Sequence, residues 1–361
     1  MTVSLSLVIK KIILVFLVFA GLYFAKDFLM PLFIGGILAT LFLPFCNWLE
    51  RKKFPRGLAV FISFLGLLTI VTLIISLLGY KVSELVNDIA SIKQKSIDIG
   101  IKIQDYIFNH LNISIEEQHQ IITKEQPSYG DLMQSVLSSV SYIVTSLILV
   151  LVYFVFLLYY RNHIKNFIFK LTSVQQRPNM EVMIHDATLI SQQYLLGLSK
   201  MIVLLWIMYG IGFSVIGVEN AIFFAILCGL LEIVPFVGNI TGTILTVVVA
   251  AVNGASISLL GGIVITYVIV QFIQGWILEP MILGPQVKIN SLFTIIALVL
   301  GELLWGIPGI VLAIPLTAML KIVCDQVETL RPYGFLIGEI KMDKKECSYF
   351  NSIKKAFSTK K

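Results

Sequence analysis

Eight apolar stretches decide what this chain can fold into: Ile12 to Ala25, Phe28 to Leu49, Gly57 to Tyr80, Val136 to Tyr160, Met201 to Val218, Ala221 to Val252, Ile257 to Leu278 and Leu292 to Val323. A helix needs about 20 apolar residues to cross a bilayer. Most of these stretches meet that length, the first falls short of it, and two exceed it. The 361 residues are 57% hydrophobic and only 13% charged, against roughly 25% charged in a soluble domain. Long surfaces must therefore face lipid, and the expected fold is an all-α membrane protein of about eight membrane segments with accessory amphipathic helices. Lys10-Lys11 ahead of an apolar run has the look of a signal peptide, but no small-residue cleavage site follows, so the segment is expected to be retained.

The two overlong stretches carry their own interruptions. Ala221 to Val252 contains Glu232, Pro235, Gly238 and Asn239, and Leu292 to Val323 contains Glu302 and Gly306-Ile307-Pro308-Gly309, with Pro315 further on. A break at membrane depth frees backbone N–H and C=O groups, which only protein or a water-filled cavity can satisfy. Each stretch is therefore expected to turn back as a broken helical hairpin, and such breaks line ion and solute sites in secondary transporters.

Polar residues inside apolar runs are the candidate binding groups. Glu232 lies about one helical turn before Pro235, where a carboxylate beside freed carbonyls can hold a proton or a cation; its plainer reading is a packing residue satisfied by a neighbour. Gln271 and Gln274 share a helical face and suit either a solute path or interhelical hydrogen bonding. Glu302 stands near the second break and either joins the site or faces water. Asn239, Gly306 and Gly309 complete the candidate set with Pro235 and Gly238, the glycines and prolines acting through backbone shape and exposed carbonyls. Glu279, which precedes Pro280 at the end of a span, is read as structural, capping or pairing with Lys288; Pro280, Pro308 and Pro315 are read as structural too.

Orientation follows the short loops. Arg51, Lys52, Lys53 and Arg56 separate the second and third spans, Arg161, Lys165 and Lys170 follow the fourth, and Arg331, Lys341, Lys344, Lys345, Lys354, Lys355, Lys360 and Lys361 fill the tail. These places, and both termini, are expected on the cytoplasmic side. The chain thereby divides into N-terminal transmembrane helices (1–80), an amphipathic extracytoplasmic or interfacial region (81–135), a transmembrane helix (136–160), a basic amphipathic cytoplasmic-face region (161–200), a transport core (201–325) and a basic tail (326–361). In the fourth of these, Ile164, Phe167, Ile168 and Leu171 fall on one face, with Arg161, Lys165 and Lys170 opposite, a pattern that suits the inner leaflet or another subunit.

Several function classes drop out. The net charge of +6 sits in loops and tail rather than on one aromatic-interleaved face, which excludes a nucleic-acid surface. Cys46, Cys228, Cys324 and Cys347 are scattered, and His110, His119, His163 and His185 lie in the amphipathic regions, so no metal site and no cofactor are expected. Hydrolase and nucleotide-binding motifs are absent from the sequence, which argues against an enzyme and against a pump driven by nucleotide hydrolysis.

Four short motifs in order, Pro235-Phe236-Val237-Gly238, Glu279-Pro280-Met281-Ile282-Leu283-Gly284, Gly306-Ile307-Pro308-Gly309 and Ala313-Ile314-Pro315-Leu316, are joined by the segment Tyr153 to Arg161 and by Tyr194-Leu195-Leu196-Gly197. Together the chain resembles the autoinducer-2 exporter family of bacterial membrane proteins. The resemblance implies a multi-pass inner-membrane transporter that forms a homo-oligomer. It further implies either export of a small polar solute such as autoinducer-2 or exchange of sodium or lithium for protons. A scaffold that transports nothing is a third reading. Against the family pattern, Asn239 stands where a proline often follows the glycine, and Asn290-Ser291 replaces a frequent histidine-proline.

Overall fold

A computed structural model describes residues 5–87, 129–234, 237–282 and 288–339. Pro235, residues 88–128 of the expected amphipathic region, the Leu283-Gly284 end of one motif and the tail beyond residue 339 lie outside these. The described residues are helical almost throughout and contain no β-strand, only an isolated bridge between Ile289 and Gly338. This is what lipid demands of a backbone with no water to bond to. The helices are α1 (Leu5–Phe24), α2 (Lys26–Arg51), α3 (Arg56–Asn87), α4 (Tyr129–Leu171), α5 (Arg177–Val215), α6 (Ala221–Leu231), α7 (Val237–Val252), α8 (Ile257–Ile273), α9 (Glu279–Ile282), α10 (Ser291–Trp305), α11 (Ile307–Gln326) and α12 (Arg331–Ile337). Six helical segments among the described residues are long and apolar enough to cross a membrane, and four shorter apolar helices accompany them.

The two long interior helices exceed any span. Helix α4 has 43 residues and α5 has 39, roughly 65 and 58 Å at 1.5 Å per residue, against a hydrocarbon core of about 30 Å. The apolar stretch ending at Tyr160 therefore continues as helix to Leu171, and the stretch beginning at Met201 is the second half of a helix that starts at Arg177. Lys165 on α4 pairs with Glu181 on α5 at 2.9 Å, tying the two projecting ends together.

Arg161 departs from its expected place on the polar face. Its guanidinium turns inward and donates to Glu50 Oε2 at 2.7 Å, to Asn47 Oδ1 at 3.1 Å and to Cys46 Sγ at 3.3 Å, while Arg56 reaches the same carboxylate at 3.5 Å. A helical wheel drawn on α4 alone cannot show the acceptors waiting on α2. Directly above this network Ala39, Cys46, Leu49, Ala59, Val60, Leu67, Phe154 and Leu158 form the core of an α2–α3–α4 bundle. Gly35 lets α2 approach closely: a Cβ there would stand 2.9 Å from the Val150 carbonyl oxygen of α4.

The second core belongs to α5–α8. Met201, Leu205, Tyr209 and Phe213 repeat every fourth residue along α5 and pack against Phe223, Phe224, Ala225 and Cys228 of α6 and Ile263 and Val270 of α8. Helix α6 folds back on α5 because Gly217 and Asn220 adopt positive φ in the turn between them. The Trp206 indole of α5 then donates to the Ile226 carbonyl at 3.1 Å and fills the space a Cβ on Gly229 would need. Gly254, also at positive φ, and the Ser256 N-cap bring the chain from α7 into α8.

Both overlong stretches form hairpins, with narrower breaks than the sequence suggested. In the first, α6 ends at Leu231 and α7 begins at Val237, so Gly238 is already helical rather than part of the turn. Its role is close approach: a Cβ at 238 would fall on the Leu231 carbonyl and 2.9 Å from Glu232 N. In the second, Gly306 alone makes the break, at φ +64° and ψ −143°, and Pro308 sits in the first turn of α11, where a missing N–H costs nothing. Gly309 is helical and lies backbone to backbone against Gly301 across the hairpin. Pro315 is accommodated inside α11.

Candidate functional site

The break between α6 and α7 places Glu232 as the residue that ends α6, its N–H bonded to the Cys228 carbonyl at 3.2 Å. Only 6% of the side chain's residue surface is exposed. Asn239, fully buried, projects from the first turn of α7, and Gln274, 3% exposed, comes from the end of α8. Three elements thereby converge. Asn239 Nδ2 donates to Gln274 Oε1 at 3.0 Å, and Gln274 Nε2 donates to Glu232 Oε1. An ionised carboxylate only accepts, so the chain of donors runs one way, from Asn239 through Gln274 to Glu232.

Gln274 opens an unusual turn. Residues Gln274–Leu278 are π-helical, and the Glu279 N–H closes the turn on the Gln274 carbonyl. Pro280 supplies the cause: it has no N–H for the Trp276 carbonyl, and its ring crowds that carbonyl, so an α-helical register fails at this point. The widened turn lies beyond Gln274, whose own N–H still bonds to the Val270 carbonyl as in an α-helix. Gln274 enters the cluster, whereas Gln271 bonds only to Tyr267 on its own helix, at 3.4 Å.

Two buried oxygens of this relay lack partners, Glu232 Oε2 and Asn239 Oδ1, and beside it the buried hydroxyls of Tyr209 and Thr243 face each other. Each buried polar atom left unpaired costs about 1–3 kcal/mol, and two on side chains joined by one relay are the mark of a site rather than of a finished core. Asn239 gives an N–H to Gln274 and Gln274 gives one to Glu232, and the unpartnered atoms left for a ligand are acceptor oxygens.

Glu302, Gly306 and Gly309 stand apart from this cluster. Glu302 is exposed near the tip of the second hairpin, and Gly306 and Gly309 serve that hairpin's turn and its close packing. Glu279 makes no ion pair with Lys288, which is exposed; its carboxylate lies instead beside the Gln274 amide, at the edge of the cluster. Tyr209 and Thr243 escaped the sequence reading because a hydroxyl in an apolar stripe has no pattern of its own. Asn290, noted only as a departure from a family motif, caps α10 by accepting from Phe293 N at 2.9 Å and donates to the Leu336 and Gly338 carbonyls at 2.7 and 3.1 Å. It thus ties the second hairpin to α12. No group of three or more metal-ligating side chains occurs among the described residues.

The family described as AI-2E family transporter matches residues 12–329. YhhT of Escherichia coli (strain K12), whose name marks it only provisionally as a transport protein, is 22% identical over 335 residues, covering 92% of this chain and 94% of its own. YrrI of Bacillus subtilis (strain 168), named in the same provisional way, is 25% identical over 82% of this chain and 86% of its own. The AI-2 transport protein TqsA of Escherichia coli (strain K12) is 22% identical over 90% of this chain and 93% of its own.

Proposed function

Because the chain belongs to the AI-2E transporter family, a family of membrane transport proteins, we propose that it carries a small polar solute across the bilayer through the cluster of Glu232, Asn239 and Gln274. The observation that carries this reading is the pair of unpartnered oxygens, Glu232 Oε2 and Asn239 Oδ1, buried where a hairpin breaks between α6 and α7. Unsatisfied oxygens at such a break are what a solute must meet when it leaves water. Autoinducer-2 enters as the solute to try first, through the printed name of TqsA. Outward movement follows if the cell's own production sets the gradient, since the sequence holds no nucleotide-hydrolysing motif to drive transport otherwise.

The test is the ratio of extracellular to intracellular autoinducer-2 in producing cells with and without the chain, and with Glu232→Gln, which keeps size and removes charge. The chain should raise the ratio and Glu232→Gln should return it towards the level of cells lacking the protein, at equal membrane abundance. A ratio that ignores both the protein and the substitution would sink the proposal for this solute. Sodium- or lithium-dependent proton movement lost in Glu232→Gln vesicles would instead transfer the same site to cation exchange.

A further inference from the structure

Gln274 is doing inside this site what a ligand would do. Its amide lies between two groups from different helices, donating to Glu232 Oε1 and accepting from Asn239 Nδ2. A glutamine that merely closed a polar core would leave that core satisfied. Here the second oxygens of both partners, Glu232 Oε2 and Asn239 Oδ1, remain buried and unmatched beside it. The element that presents Gln274 is also the one irregular turn of its helix, the π-helical segment Gln274–Leu278 ahead of Pro280. A π turn differs from an α turn by one residue, so shifting the wide turn past position 274 re-phases that side chain by about 100°. That rotation takes the amide off the line between Glu232 and Asn239 without unfolding α8.

Resting on the transport reading above, we propose that Gln274 is a built-in stand-in for the solute: it occupies the binding position in this state and must withdraw, by movement of its π turn, before solute binds. The group that displaces it has to do both of its jobs, donating to Glu232 and accepting from Asn239. A hydroxyl or an amide does both. A bare metal cation satisfies the carboxylate and leaves the Asn239 N–H unpaired, so the site as built favours a neutral hydroxyl-bearing solute.

The experiment is the rate at which dicyclohexylcarbodiimide modifies Glu232 in the full chain reconstituted into liposomes, read by mass spectrometry of the Glu232 peptide. Gln274→Ala and Gln274→Leu both remove the amide, and the leucine keeps the space filled. Both should speed the modification by about tenfold or more, the weight of one hydrogen bond to a charged group. Equal rates in all three proteins, or acceleration in the alanine variant alone, would overturn the stand-in role, the second because filled space rather than the amide would then be the shield. Glycerol should slow the reaction in Gln274→Ala more than sodium chloride of equal osmolarity, and an equal or reversed order refutes the hydroxyl preference. Should both variants fail to fold, the parent protein decides: backbone amides of 275–279 should exchange at least about tenfold faster than those of 263–271, and equal protection overturns the moving turn. The carbodiimide and exchange readings need no knowledge of the solute, so they judge Gln274 even if autoinducer-2 proves not to be carried.

Discussion

Replacing Gly238 with alanine puts a methyl group where the Leu231 carbonyl already stands, with Glu232 N 2.9 Å away. Both obstacles are backbone, so neither can rotate aside, and the only relief is to move α7 away from the end of α6. Overpacking of this kind costs about 1–3 kcal/mol, against a helix-propensity gain for alanine of at most ~1 kcal/mol, so the loss prevails. Gly261 supplies the matched control: it lies on an exposed face of α8, nothing stands within 4 Å of the Cβ it would acquire, and Gly261→Ala should therefore gain about 0.5–1 kcal/mol. Thermal unfolding of the purified protein in detergent separates the two. The buried thiols of Cys46, Cys228 and Cys324 become reactive to a fluorogenic dye only on unfolding, and a Cys347→Ser background removes the thiol in the tail. Gly238→Ala should unfold below the parent and Gly261→Ala above it. A Gly238→Ala protein as stable as the parent would refute the close approach of the two half-helices, and with it the placement of Glu232 at their junction.

Arg161→Lys keeps the charge but loses the fork that reaches Glu50, Asn47 and Cys46 together; it should cost about 1–3 kcal/mol in the same unfolding assay, and an unchanged transition would show the network to be incidental. Asn290→Ala removes an N-cap and both links from α10 to the end of α12, so it should lose about 1–2 kcal/mol and speed proteolysis near Gly338, whereas unaltered cleavage there would disprove the tie. On topology, single cysteines at Lys102→Cys and Lys344→Cys should differ in labelling by an impermeant reagent in intact cells, the first reacting and the second protected; equal behaviour overturns the assignment of sides.

What could be read from the chain, and what could not, divides along physical lines. The apolar stretches and both hairpins were legible because bilayer thickness and backbone satisfaction act on local sequence, and Glu232 stood out because a carboxylate in such a run is costly. The convergence of Glu232 with Asn239 and Gln274 was not legible as a relay, since it joins residues 35 and 42 positions apart. Gln274 also opens a turn that Pro280 widens from six residues downstream, a feature the periodicity of α8 does not announce. Arg161 was misplaced for the opposite reason: its own helix looks amphipathic, and the carboxylate that draws it inward belongs to α2. Glu302, equally conspicuous in sequence, ends up exposed because Gly306 turns the chain so soon after it.

The contact of Gly301 with Gly309 has a mechanical consequence for the second hairpin. Where the two glycines meet, backbone touches backbone with no flexible side chain to compress, so a push on one arm is passed to the other as displacement rather than absorbed as strain. The tip is gripped from outside, by the Trp305 indole donating to the Leu22 carbonyl at 2.9 Å and stacking on Phe33. At the other end, Asn290 fastens α10 to α12. A stiff rod held at both ends behaves as a lever, and the first two helices and the C-terminal helix are thereby coupled through it even though they lie at opposite ends of the chain.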